Sequence, residues 1–341
     1  MAKAKEEDLD VQAIKPIVLS SASIKNATDI IRKKHAVNTP ERQKMIQLLS
    51  NWDDTTRFTP TGFREIDDML GGGIPSGKLI QVHGYEGSGK SSLCFHFASL
   101  FDFSVYIDAE SKFTKERAKF FHIDEKRMIV ICPDTGEFAI DAIKEYAAIG
   151  VPLIIVDSVP SLIPQKQMTV YEKEASGTTP GVALTALLLA RHLSSIASVC
   201  KSTGSTVLFV NQLRDKIGMT FGFGDTTYKP GGKNLQYMIS QDILVQRKGK
   251  LRSSDSILGI RIGMAAKKNQ VAAPYGTAEV NLIFDIGIRT IETEKEDLKA
   301  ARKRFLDERK KKLSFFGKSD SEEIDESEEP RFEESIQTSD E

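Results

Sequence analysis

The feature that most limits what this chain can fold into is the stretch from about Thr59 to Ile288, where short apolar runs alternate with segments of helical spacing. The apolar runs are LIQVHG, SVYIDAE, RMIVICP, LIIVDSV, TVLFVNQ and QDILVQR, and the helical segments fall at 90–101, 114–122, 136–149 and 181–203. A strand that is apolar at successive positions, with no polar alternate, has both faces buried. Strands alternating with helices therefore predict an α/β fold with a mostly parallel, twisted sheet and helices on both faces. Two further runs, ILGIRIGM and AEVNLIFDI, are expected to extend the same sheet.

The ends differ from this core. Residues 1–18 carry charged clusters without a period and are expected to be disordered or to form an extended arm. ASIKNATDIIRKKHAV and TPERQKMIQLLSNW read as helices, the second opened by Thr39-Pro40, so residues 1–56 form a small helical region. Beyond Ile288, residues 289–318 read as a basic helix with eight Lys/Arg between Lys299 and Lys312, and residues 319–341 as an acidic, disordered tail. The net charge of −1 hides this division: residues 319–341 hold 11 acidic residues and one Arg, which leaves 46 basic against 37 acidic before them, a balance of +9. A basic body with an acidic tail points to a polyanionic partner and a tail that competes for the same surface.

Other classes are excluded. No apolar run is long enough to span a bilayer and MAKAKEEDLD has no apolar core of a secretion signal, so the expectation is a cytoplasmic protein with no membrane partner. Cys94, Cys132 and Cys200 are far apart and lack metal-ligand spacing, so they are expected to be buried thiols.

GYEGSGKS lies between a predicted strand and a predicted helix and matches the phosphate-loop pattern. Gly84, Tyr85, Glu86, Gly87, Ser88, Gly89, Lys90 and Ser91, with Ser92 after them, are thus the candidate nucleotide-binding residues. The glycines let backbone N–H groups face phosphate oxygens, Lys90 reaches the β- and γ-phosphates, and Ser91 ligates Mg²⁺. Asp157 ends the run LIIVDS and is the second candidate for the Mg²⁺ shell. Glu110, at the end of VYIDAE, is the candidate to orient and deprotonate water, with Asp108 as rival on the same strand face. Asn211 and Gln212 end the next strand, where an amide can sense the γ-phosphate.

After them runs a glycine-rich loop with Arg214, Lys216, Lys229 and Lys233 among Ile217, Met219, Phe221, Phe223 and Tyr228. Cations interleaved with flat or wedge-like groups suit single-stranded nucleic acid. A second glycine- and threonine-rich loop, 165–181, follows the Asp157 strand.

Taken with TGFREIDDMLGGGIPSGKLIQVHG, PDTGE, VLFVNQLRDKIGMTFG, GGKN and NQVAAP, these motifs resemble the RecA-type homologous-recombination ATPases over about Thr59 to Ile288. The resemblance implies a RecA-like ATPase core at 57–288 that uses ATP and Mg²⁺, forms a helical filament with copies of itself on single-stranded DNA, and then pairs it with homologous duplex DNA. It makes Glu110 the catalytic carboxylate, Gln212 the γ-phosphate sensor, 165–181 and 213–232 the two DNA-binding loops, and Ile217 the side chain wedged between bases. Arg214, Lys216, Gly218, Met219, Phe221, Gly222, Gly231 and Gly232 accompany Ile217, and Arg191, beside His192, stands where a further DNA-contacting Arg is expected while Thr185 fills an earlier Arg position.

The sequence departs from the family at several places. Lys268 keeps the first of two lysines sent across the protomer interface, but Gln270 replaces the second, and the neighbouring Lys267 faces the other way. Arg117 replaces the aromatic ring stacked on adenine, and Phe284 is placed to flank the base from a neighbouring subunit. After Ile288 a basic helix and acidic tail are expected in place of the family's compact C-terminal domain, as in a divergent, bacteriophage-encoded member, and LSFFGK is a candidate dock for a replication or single-strand-binding partner. A ring helicase of the same core, or a single-strand binder that ATP merely stabilises, remain alternatives.

Overall fold

The structure, a computed structural model, describes residues 21–34, 55–166, 181–215, 227–253, 256–315 and 331–334. Residues 1–55 and 56–341 form two units. Of the first, helix α1 (Ser21–Lys34) is described, with Ile30 and Ile31 exposed; the expected helix TPERQKMIQLLSNW lies outside the described residues.

In the second unit, β1 (Phe58–Thr59) and β2 (Ile74–Pro75) pair as a ribbon around α2 (Arg64–Leu70). The main strands follow as β3 (Leu79–Gly84), β4 (Ser104–Asp108), β5 (Met128–Ile131), β6 (Leu153–Asp157) and β7 (Thr206–Gln212). A second ribbon joins β8 (Arg214–Asp215) to β9 (Thr227–Tyr228). Then come β10 (Gln241–Ser253), β11 (Ser256–Asn269), β12 (Thr277–Ile283), β13 (Gly287–Arg289) and β14 (Arg331–Glu334). The sheet order is β13-β12-β11-β10-β3-β7-β6-β4-β5, parallel from β10 to β5 and antiparallel from β10 outward.

The remaining helices are α3 (Lys90–Ser99), α4 (Lys115–Phe120), α5 (Gly136–Ala148), α6 (Gly181–Thr203), α7 (Gly232–Met238) and α8 (Glu294–Phe315). Thr114 caps α4 by accepting from the Arg117 amide, and Thr135 caps α5 by accepting from the Phe138 amide, both at 3.3 Å. Among the described residues no helix is long and apolar enough to cross a membrane.

The central strands sort their side chains with period two into two cores. Ile80, Val82, Tyr106, Leu153, Ile155, Leu208 and Val210 join Leu93, Phe95 and Phe97 of α3 on one face. Leu79, Val105, Ile107, Ile154, Val156, Val207 and Phe209 join α5, α6 and α7 on the other. That double burial is why these strands read as unbroken apolar runs.

Two expectations are corrected. Cys94 and Cys200 are buried, but Cys132 is exposed just past the end of the edge strand β5. The acidic tail is not wholly without structure: Arg331–Glu334 pairs antiparallel with Gly249–Arg252 of β10. β10 outruns β3, so the edge that β3 leaves at Gly84 is free to take another strand.

Candidate active site

β3 ends at Gly84, and the chain turns through Gly87 (φ 69) and Gly89 (φ 94) into α3. These glycines are required by their surroundings. A Cβ at Gly84 would stand 2.1 Å from the Val245 carbonyl oxygen, and one at Gly89 would stand 2.4 Å from Ile262 Cδ1. The turn therefore lies flat on β10 and β11, with the N-terminus of α3 facing a cleft of about 420 Å³. Glu86 to Ser92 line that cleft, as do Glu110, Asp157, Gln212, Arg117 and Phe284.

Parallel topology brings these residues together. β3, β4, β6 and β7 run in one direction, so their carboxyl ends share one edge of the sheet. Lys90 is 8% exposed and donates to the carbonyls of Gly84 (2.9 Å) and Tyr85 (2.7 Å). Burial lowers its pKa, against the pull of the Asp157 charge. Ser91 Oγ donates to Asp157 Oδ2 at 2.8 Å, and Tyr106 Oη donates to the same oxygen at 2.6 Å. Burial pushes the Asp157 carboxyl up; the Tyr106 and Ser91 bonds oppose it.

Glu110 is the best-connected group in the cleft. Gln212 Nε2 donates to its Oε1 at 2.8 Å, Ser158 Oγ makes a short hydrogen bond to the same atom, and Lys112 Nζ lies 2.7 Å from Oε2. Burial raises its pKa, but the bonds from Lys112, Ser158 and Gln212 together hold it below the ordinary glutamate value. It is thus an oriented carboxylate at neutral pH.

Asp108 is not a rival for this place. β4 ends at Asp108, the chain then turns, and its two carboxylate oxygens accept from the amides of Lys112 (3.1 Å) and Phe113 (2.7 Å) away from the cleft. Asn211 is also outside the cleft: it is buried, and its amide donates to the Pro230 carbonyl at 2.7 Å.

Further lining of the cleft comes from α4, β10 and β12. Arg117 lines it, with its guanidinium 5.2 Å from the Phe95 ring centroid. Phe284, expected from a neighbouring subunit, lines the cleft of its own chain because β12 lies beside β11, over which the phosphate loop folds. Sequence reasoning missed Lys112, Ser158, Arg247 and Tyr106. Ser158 directly follows Asp157 and Lys112 lies two residues after Glu110, so both were within reach of a local reading; Arg247 and Tyr106 arrive through topology alone.

The donor set fits a magnesium nucleotide. Backbone amides at the helix N-terminus would face phosphate, Lys90 would add a cation, and Ser91 with Asp157 offers hard oxygen ligands.

The loop candidates are only partly described. Lys216, Ile217, Gly218, Met219, Phe221 and Gly222 lie outside the described residues, as do Phe223 and most of 165–181. Arg214 is exposed in β8, and Arg191 is exposed on α6, neither lining the cleft. Gly231 (φ 96) and Gly232 (φ 78) open α7, where a Cβ on Gly232 would stand 2.7 Å from that of Ala186, so helix packing demands them. Lys229 is not free to meet phosphate: its ammonium is in short contact with Asp242. Lys268 bonds the carbonyls of Gln236 and Tyr237, both at 3.0 Å, outside this chain's cleft, while Lys267 and Gln270 are exposed. Thr185 donates to the Leu162 carbonyl at 3.0 Å, and His192 Nδ1 lies 2.9 Å from Lys144 Nζ, both packing roles. LSFFGK begins in α8 and otherwise lies outside the described residues.

Comparison with known proteins places the chain in a family. The family model described as the RecA N-terminal domain matches residues 20–289, which is more than half of the chain. This chain belongs to the RecA family. Its similar relatives include Protein RecA of Salinispora arenicola, 34% identical over 68% of this chain and 67% of the relative. Protein RecA of Thermosynechococcus vestitus is 34% identical over 68% of this chain and 64% of the relative. Protein RecA of Acidothermus cellulolyticus is 31% identical over 75% of each. The RecA resemblance thus spans about two thirds to three quarters of those proteins' lengths.

Proposed function

We propose that this RecA-family chain is an ATP-dependent recombinase, working in the cytoplasm on the nucleoid or in a phage-infected host. It polymerises on single-stranded DNA, pairs it with homologous duplex DNA, promotes strand exchange, and hydrolyses ATP to ADP and phosphate. The observation that carries this reading is the hydrogen bond from Gln212 to Glu110. Gln212 ends β7 and heads the loop proposed to hold DNA, while Glu110 is the oriented carboxylate of the cleft, so one bond joins the two sites.

In this reading Glu110 orients the attacking water and accepts its proton, with Lys112 and Ser158 fixing the carboxylate. Lys90 exchanges the carbonyls of Gly84 and Tyr85 for phosphate oxygens. Ser91, with Asp157 behind it, would hold Mg²⁺, which would supply charge neutralisation at the phosphates. Arg117 and Phe284 hold the base. Residues 1–56 reach the next protomer, 57–288 form the ATPase core, 289–318 the basic helix and 319–341 the tail. Lys268 is assigned to the neighbouring protomer's nucleotide, and LSFFGK to a replication or single-strand-binding partner.

The test is phosphate release by the full chain with and without oligo(dT), at matched salt, alongside electron microscopy of the same samples. DNA-stimulated turnover with ATP-dependent filaments supports the recombinase. Filaments without turnover would indicate an ATP-stabilised single-strand binder, the reading that Gln270 leaves open. Closed rings with turnover would indicate a helicase.

A further inference from the structure

The cleft does not account for a row of buried polar side chains beneath it. Gln81 and His83 of β3, Asn211 of β7 and Asp242 of β10 are each at least nine-tenths buried. The strand registers pair Gln81 with Asp242 and His83 with Asn211, so all four lie on one face of the sheet. None of them lines the cleft. A polar row across the middle of a parallel sheet is costly unless it holds something in place.

Through Asp242 and Asn211 the row holds the loop stem, while the Gln81 side-chain amide makes no hydrogen bond among the described residues. Asp242 Oδ1 stands 2.8 Å from His83 Nδ1, and its other oxygen takes the Lys229 ammonium. Burial works to raise the Asp242 pKa, but His83 and Lys229 outweigh it and keep the group anionic. Asn211 donates to the Pro230 carbonyl, one residue further along the same stem. The outgoing stem is tied separately: Tyr85 Oη donates to Asp215 Oδ1 at 3.0 Å, and the Leu213 amide donates to the Gly84 carbonyl at 3.2 Å. That same Gly84 carbonyl accepts from Lys90. The two stems pair with each other as β8 and β9.

We propose that His83 and Tyr85, the residues on either side of Gly84, are positioning residues that tie the phosphate loop to both stems of the 213–232 loop and so carry nucleotide occupancy to that loop. The proposal rests on the reading of 213–232 as the loop that binds single-stranded DNA. A shift of the Gly84 turn, as Lys90 leaves its carbonyl for phosphate, moves Tyr85 with Asp215 on one stem and His83 with Asp242 and Lys229 on the other. Because the stems pair as β8 and β9, a displacement of either is shared by both.

The test breaks each tie away from the cleft. Asp215→Ala removes the exposed acceptor of Tyr85, Asp242→Asn weakens the hold on Lys229 and His83, and the double variant removes both. The measured quantity is the ratio of oligo(dT) affinities with and without the slowly hydrolysed analogue ATPγS and Mg²⁺. Direct effects on DNA contact cancel in this ratio, and reciprocity requires the same factor in ATPγS affinity with and without oligo(dT). Each single variant is expected to lower the ratio about fivefold, and the double variant to bring it towards one. A merely structural role would lower both affinities and the melting temperature together and leave the ratio intact. Should Asp242→Asn fail to fold, Asp215→Ala decides alone: a wild-type ratio in that variant overturns the proposal. A ratio of one in the wild-type protein would sink the DNA-loop reading first, and the coupling with it.

Discussion

Glu110 shows how much a single side chain depends on its neighbours. Three donors converge on its carboxylate, and their combined effect outweighs the burial that would otherwise raise its pKa. In the proposed role, Glu110→Gln keeps ATP-dependent binding to single-stranded DNA, measured by fluorescence anisotropy, while phosphate release falls by about 10²-fold or more. Loss of both together would refute the assignment. The lowered pKa also fixes a pH dependence. The carboxylate stays ionised as pH falls until its depressed pKa is reached, so turnover is flat through neutrality and declines only in acid. Lys112→Met removes the strongest of the stabilising partners, so the acid limb of the pH–rate profile moves to higher pH. Lys112 is 67% exposed, so the displacement should shrink at high salt; a limb that does not move would show that Ser158 and Gln212 suffice. Glu110, Lys90, Asp157 and Gln212 were legible in the sequence because each sits at a strand end or in a motif with fixed local spacing. The error over Asp108 has the same origin: period two holds along a strand, and β4 stops before Glu110.

At the scale of elements, the central strands were legible because both their faces are apolar, and the burial pattern makes their contribution measurable. Phe209 of β7 is fully buried in the core shared with α5 and α6, whereas Phe138 on α5 is 48% exposed. Phe209→Ala is expected to cost about 3–5 kcal/mol in urea unfolding, and Phe138→Ala about 0.5 kcal/mol or less. Comparable losses would mean that β7 is not at the centre of the sheet. The long hairpin of β10 and β11 was less legible. Its far half carries Arg247, Lys248, Gly249, Lys250 and Arg252, which hide a strand from any reading based on apolar runs. Those polar side chains are tolerated there because the strand has passed the covered part of the sheet, and the backbone ladder to β11 continues to Ser253. Four-residue β14 was invisible for a related reason: RFEE has no strand signal of its own, and its pairing depends on an edge created far away in sequence.

For the molecule as a whole, charge is distributed in opposition, and β14 gives that opposition a place. Its register sets Glu333 beside Lys250 and Phe332 beside Leu251, on the hairpin that also carries Arg247 and Lys248. A docked acidic strand lowers the positive potential that phosphates would otherwise meet. Deleting residues 319–341 changes the formal charge from −1 to +9 and frees that edge. The truncated protein is expected to bind oligo(dT) more tightly, most at low salt. The slope of log affinity against log salt should steepen by roughly 0.7 for each phosphate contact regained on a single strand. Parallel salt lines for the two proteins would sink the competition. The deletion removes both charge and strand, and Phe332→Pro separates them: proline takes a donor from the ladder while leaving every acidic residue in place. If Phe332→Pro binds DNA like the truncation, docking on β10 is what places the negative charge. If it binds like the full chain, the tail acts as a free polyanion, and its effect comes from local concentration of charge rather than from the edge that β3 leaves open.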